Sequence, residues 1–166
     1  MGSLQGFCQW LEAQGFSVAI AQSTYLFPVL ETIHVFAIAL VVGSIAILDL
    51  RLIGVSLKGS AVTKLANAIL PWSWFSFALA ALAGSLMFAS RATLYFSNIP
   101  FRWKITFVLL AGLNMMVFHL TVFRRVQDWD SKLPPPHAAR IAGLLSLTVW
   151  ISVVFFGRFA GFVEPT

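Results

Sequence analysis

Charge is scarce in this sequence. Charged residues make up 10% of its 166 residues, against roughly 25% in an ordinary soluble domain. No Lys or Arg precedes Arg51, so the opening does not have the basic start of a secretory signal. Gly6 stands where a myristoylation pattern wants Ser or Thr. Cys8 is the single cysteine, which excludes an intrachain disulfide and a cysteine metal cluster. Basic runs interleaved with aromatics are also missing, which argues against nucleic acid as a partner despite a net charge of +5. There is no internal repeat and no low-complexity segment.

What the sequence has in abundance is apolar length. Hydrophobic residues reach 59%, and they gather in four runs, residues 26–53, 69–90, 101–123 and 139–163. Each run exceeds the ~20 residues needed to cross a bilayer core of ~30 Å. In that solvent the backbone must be satisfied within each helix. The expected fold is therefore all-α: an integral membrane four-helix bundle, a single membrane domain over residues 1–166. Leu4, Phe7, Cys8 and Leu11 share a helical face ahead of it, which predicts a short N-terminal interfacial helix over about residues 3–22, bent near Gly15. Pro28 and Pro71 are expected in the first turns of spans one and two, where a missing N–H costs little. Trp72 and Trp74 fit an interfacial aromatic belt. The polar connections are 52–64, 91–102 and 124–137, the last closed by Pro134, Pro135 and Pro136.

Orientation follows from the basic residues of the short loops. The first connection carries Arg51, Lys58 and Lys64. The third carries Arg124, Arg125 and Lys132, with Arg140 just beyond. The expectation is a multi-pass protein of the bacterial inner membrane with both termini outside. Arg91, Arg102, Lys104 and Arg158 break the pattern, because they fall near the outer helix ends. Glu31 is the acid at matching depth, apart from Glu164 near the terminus. Four cations facing one acid suggest a bound anionic group, with lipid phosphate as the plain alternative.

Ionisable groups inside the spans require partners. Glu31, His34, Ile38, Val42, Ile45 and Asp49 recur at steps of three and four, along one stripe of span one expected to face the interior. His34 lies roughly 10 Å in from the outer end. A buried imidazole at that depth serves as a haem or metal ligand, a proton relay or an interhelical hydrogen-bond partner. His119 belongs to the opposite half of the membrane, so the two histidines are not expected to ligate one haem. His119 is the second metal-ligand candidate, or a member of a polar network with Asp49 and Arg51. His137 reads as solvated. Met87, Met115 and Met116 read as apolar filler. Ser76, Ala80 and Gly84, and also Gly157 and Gly161, mark close helix packing, within the bundle or in a homo-oligomer.

The segment ETIHVFAIALVVGSIAILDLRLIG resembles the first helix of small bacterial four-helix membrane proteins of unknown function. More distantly it is similar to the copper-resistance D membrane domain and to the J-type protoporphyrinogen oxidases. The matching residues are His34, Gly43 and Arg51. FRWKITFVLLAGLNMMVFH resembles a second element of that group through Lys104, Asn114 and His119. This resemblance implies a bundle able to hold haem b, or copper as the lesser alternative. It places His34 as axial ligand and Lys104 near the porphyrin.

Two functional classes follow. In the first, haem b binds in the outer half on His34, Arg91, Arg102, Lys104 or Arg158 hold its propionates, and electrons pass to a quinone or a redox partner protein. A membrane oxidoreductase activity belongs to this class. In the second, Glu31 serves a small proton-coupled transporter. Copper handling and a purely structural subunit rank below these.

Overall fold

The computed structural model describes residues 2–131 and 134–163. The fold is all-α: α1 (Gly2–Glu12), α2 (Gly15–Gln22), α3 (Leu26–Ile53), α4 (Val62–Ser90), α5 (Ala92–Ser97), α6 (Ile99–Leu120) and α7 (His137–Phe159), with a 3₁₀ turn at Phe123–Asp128. Lys132 and Glu164, counted among the charges above, lie outside the described residues.

Four of these helices, α3, α4, α6 and α7, are long and apolar enough to cross a membrane. At most 22% of the residues in their apolar windows are buried inside the protein. Lipid must cover the rest, so the chain is a multi-pass membrane protein. α3 packs against α4 and α7, and α6 packs against α7. The two arms of this arrangement, α4 and α6, are bridged near the chain termini by Phe88 stacked on Phe101 with ring centroids 5.6 Å apart. α1 and α2 are separate short helices divided at residues 13–14, and they lie against α4 and α5 at the end of the bundle that carries both termini.

The elements are set by caps that the apolar pattern does not contain. α4 begins well before the second apolar run, so Pro71 lies inside a helix rather than at its start. Lys64 and Asn67 are exposed in this extension, and Trp72 and Trp74 follow at the boundary with the apolar part. The extension forms because Asp130 holds its first turn. The Thr63 N–H donates to Asp130 Oδ1 at 2.8 Å, the Thr63 hydroxyl to Oδ2 at 2.6 Å, and the Val62 N–H to the Asp130 carbonyl at 3.1 Å. The second connection contains α5, whose Thr93 gives its N–H and hydroxyl to Glu12 of α1 at 2.8 and 2.6 Å. α6 is capped by Asn98. α3 ends at Gly54, whose φ of 86° suits the left-handed stop of a helix.

The interior ridge of α3 sits slightly off the predicted stripe. Ala37, Val41, Leu48, Asp49 and Leu52 are buried, His34 is half-buried, and Glu31 is exposed. Mid-bundle, Val41, Ala111, Trp150 and Val153 form one apolar cluster that Phe77 and Phe107 join. A second cluster, with Leu52, Val62, Phe118 and Trp129, closes the opposite end.

Candidate functional site

All four long helices converge on one pair of side chains. His34 of α3 places its Nδ1 2.7 Å from the Ala80 carbonyl of α4. A carbonyl only accepts, so Nδ1 carries the proton and Nε2 keeps the lone pair. That lone pair accepts from the Lys104 ammonium of α6 at 3.3 Å.

The seat is cut by glycines. A Cβ on Gly84 of α4 would stand 2.8 Å from His34 Cε1, so only glycine admits the ring there. A Cβ on Gly157 of α7 would meet Lys104 Cδ at 3.3 Å, so the stem of the lysine lies along bare backbone. Along α6, Phe101, which stacks on Phe88, lies one turn before Lys104, and Phe107, which packs on the mid-bundle cluster, lies one turn after it. Low surrounding polarity strengthens any electrostatic contact made there. His34 is the one hydrogen-bond partner of Lys104 among the described residues. An ammonium offers three donors, so two remain for another acceptor.

The other predicted residues gather at the same end without joining this contact. Glu31 is exposed one turn nearer the terminus of α3. Arg91 is exposed, with its guanidinium 4.8 Å from the Phe27 ring centroid. Burial pushes the Tyr95 phenol up, Arg91 pulls it down and Glu31 adds to the rise, which puts these three groups in one electrostatic neighbourhood. Arg158 is exposed, 4.9 Å from the Phe162 ring centroid, and Arg102 is exposed on the first turn of α6. Arg91, Arg102 and Arg158 thus form an exposed outer rim.

His119 lies at the far end of α6. Its Nδ1 is 3.0 Å from the Met115 carbonyl of its own helix, and its ring rests 5.1 Å from that of Phe123. The polar network near it is built otherwise. Arg51, with no exposed surface, donates Nε to the Ser60 carbonyl at 2.8 Å and Nη2 to the Asp130 carbonyl at 3.2 Å. His137 is exposed at the start of α7.

Sequence reasoning missed two polar residues that position the site. Asn98 is 1% exposed. It accepts from the Phe101 N–H at 2.9 Å and donates to the carbonyls of Ala160 and Val163 at 3.1 and 3.0 Å. It thereby fixes the start of α6, and hence Lys104, against the end of α7. Asp130 does the same for α4. Both fall in polar connections, 91–102 and 124–137, and a polar residue directly before an apolar run was the available signal for Asn98.

As for composition of ligand sets, no three His, Cys, Asp or Glu side chains come together as a metal cage among the described residues. A tetrapyrrole brings four nitrogen donors of its own and asks the protein for one or two axial ligands.

The chain belongs to the DUF6644 family, a family of unknown function whose pattern matches residues 8–163. The whole bundle and the His34–Lys104 pair fall inside that match. No curated protein and no solved structure matches the chain.

Proposed function

We propose that this protein binds haem b at the His34–Lys104 pair and passes electrons in the bacterial inner membrane. One observation carries the reading: the Ala80 carbonyl fixes the tautomer of His34 so that Nε2 presents its lone pair to an ammonium that has no acid partner among the described residues. Metal-bound histidines typically have their other ring N–H held in this way. His34 Nε2 would ligate the iron. The iron and the ammonium cannot share that lone pair, so Lys104 would turn to a propionate carboxylate, a charge-assisted partner. Arg91, Arg102 and Arg158 stand on the rim of the same end for the second propionate. When bound, the haem would supply one-electron chemistry, and the protein would tune its potential through the ligand, burial and neighbouring charge. A quinone or a protein at the rim would complete the transfer.

Glu31 supports the transporter reading less well, because it is exposed rather than enclosed between helices. The basic residues Arg51, Lys58, Lys64, Arg124, Arg125 and Arg140 all lie at the end opposite the termini. That asymmetry supports an orientation with both termini outside.

The test is a spectrum. Protein expressed with adequate haem and solubilised in detergent should show a Soret band that shifts on reduction. His34→Ala should abolish or strongly shift it, and His119→Ala should leave it in place. A preparation without any Soret band under those conditions would overturn the proposal.

A further inference from the structure

The end of the bundle away from the termini carries two open clefts lined by cations. The larger, about 630 Å³, is bordered by Arg124, Arg125, Asp128, Trp129, Pro136 and Ala138. The smaller, about 360 Å³, is bordered by Gly54, Lys58, Pro134 and Arg140. Among the described residues each is bordered by two cations, and Asp128 is the one acid. The start of α7 separates the two: Pro136 and Ala138 border the first, Arg140 the second.

Three physical features converge here. First, the cations are unengaged. Arg51, the guanidinium nearest to them in sequence, is tied to two carbonyls. Arg124, Arg125, Lys58 and Arg140 make no side-chain hydrogen bond to the protein among the described residues. Second, α7 begins without a side-chain cap, and its first main-chain bond is from the Arg140 N–H to the Pro136 carbonyl. Among the described residues the N–H groups before Arg140 have no main-chain partner, and they add the positive end of a 23-residue helix. Third, the clefts lie where spans leave the oil. Leu120, the last residue of α6, borders the larger one, and Ile53, the last of α3, the smaller. A ligand there meets apolar wall on one side and cationic wall on the other.

That layering matches the head of a membrane lipid: acyl chains beside the helix, and a phosphodiester at the guanidinium level. We infer that the two clefts bind anionic phospholipid headgroups, one on each side of the start of α7. The charge selects the class. A choline or ethanolamine head would bring its own cation against Arg124 and Arg125, whereas a glycerol head brings none. The Asp128 carboxylate is then an acceptor for a glycerol hydroxyl rather than a repulsive misfit. Arginine suits the phosphate because its planar fork gives paired hydrogen bonds. This inference does not depend on the haem reading, since the clefts lie at the opposite end of the bundle from His34.

The full chain, purified in a neutral detergent, should be titrated with phosphatidylglycerol, phosphatidylcholine and inorganic phosphate. Native mass spectrometry would count bound lipid, and the melting temperature would report affinity. Phosphatidylglycerol is expected to occupy two sites and to raise the melting temperature, with phosphatidylcholine having little effect. Arg124→Gln with Arg125→Gln should remove one equivalent, and Lys58→Gln with Arg140→Gln the other. Each lost cation should weaken binding roughly fivefold. Arg124→Lys with Arg125→Lys keeps the charge and should retain most of the binding, which separates loss of the site from loss of the fold. Equal retention of both lipids, or saturation by inorganic phosphate with no lipid preference, would overturn the inference.

Discussion

Asp130 accepts both the main-chain N–H and the hydroxyl of Thr63, a residue 67 positions earlier in the chain. The two bonds close the first turn of α4 from outside and pin the third connection to the first. Asp130 also presents its carbonyl to Arg51 at the end of α3. One residue thus fixes α3, α4 and the approach to α7 at the end remote from His34. The helical phase that sends Ala80 and Gly84 toward His34 runs down α4 from this cap. Glu12 and Thr93 repeat the same carboxylate-to-threonine device at the other end.

Replacing Asp130 by Ala should therefore cost about 2 kcal/mol, the loss of a charged helix cap. For a chain of this length that is a fall in melting temperature of roughly 4–8 °C, readable in detergent.

The same residue sets an acid limb. Burial pushes the Asp130 carboxyl up, but the Thr63 hydroxyl and N–H, the Val62 N–H and the charge of Arg51 outweigh it and hold it below the ordinary 3.8. A carboxyl lowered in the folded state contributes stability that is present above its unfolded value. That stability is lost as pH falls through the lowered one. Melting temperature should accordingly drop below about pH 4 in the native protein. Asp130→Asn should start lower and show a flatter acid limb.

Gly84 and Gly43 make a matched pair of tests. Both are helical glycines, but a Cβ at Gly43 meets nothing within 4 Å, while one at Gly84 would press on His34 at 2.8 Å. Gly84→Ala should displace the imidazole, break its bond to Ala80 and cost about 1–3 kcal/mol, as overpacking does. Gly43→Ala should leave stability unchanged or raise it by up to about 1 kcal/mol, through helix propensity. The spectrum of the haem-loaded protein should change only for Gly84→Ala.

The contrast between these glycines also shows what was legible in the sequence. Membrane spans are written in local composition, so α3 matched its apolar run and the fold class followed. His34 was visible because an imidazole in oil is anomalous wherever it stands. Lys104 stood out only as a cation near a helix end, and through resemblance. Its contact with His34 joins residues 70 apart, and no local periodicity encodes such a pairing. The start of α4 was hidden for the same reason, since its cap comes from Asp130. Small residues at four-residue spacing announced Gly84 as a contact position, without saying that its neighbour would be an imidazole.

Asn98 offers a test in which ordinary cap preference should fail. Asp is normally as good a helix cap as Asn. Here the side chain also donates to two carbonyls, of Ala160 and Val163. Asn98→Asp keeps the acceptor for the Phe101 N–H but turns a carboxylate oxygen toward those two carbonyl oxygens in a buried place. Asn98→Ala should cost about 2–3 kcal/mol for the lost bonds. Asn98→Asp should cost at least as much at neutral pH, measured as a lower melting temperature. An aspartate variant as stable as the native protein would show that the ties to α7 contribute nothing.

Lys104 separates stability from function most sharply. Its ammonium is drawn in between helices, where the one hydrogen-bond partner among the described residues is the His34 imidazole. Desolvating that charge is costly, and the imidazole returns no opposite charge to offset it. Lys104→Met keeps the length of the stem along Gly157 and removes the charge, leaving no orphaned counter-ion behind. The protein without haem should therefore become more stable, by roughly 1–2 kcal/mol. Haem retention should fall, because the cation that would meet a propionate is gone. A residue kept only for packing would behave in the opposite way: its replacement would lower the melting temperature and leave haem content untouched. Measuring both quantities on the same preparation decides between these, and the expected combination, a higher melting temperature with a weaker Soret band, is the pattern of a site that holds an unfavourable charge in place for a ligand.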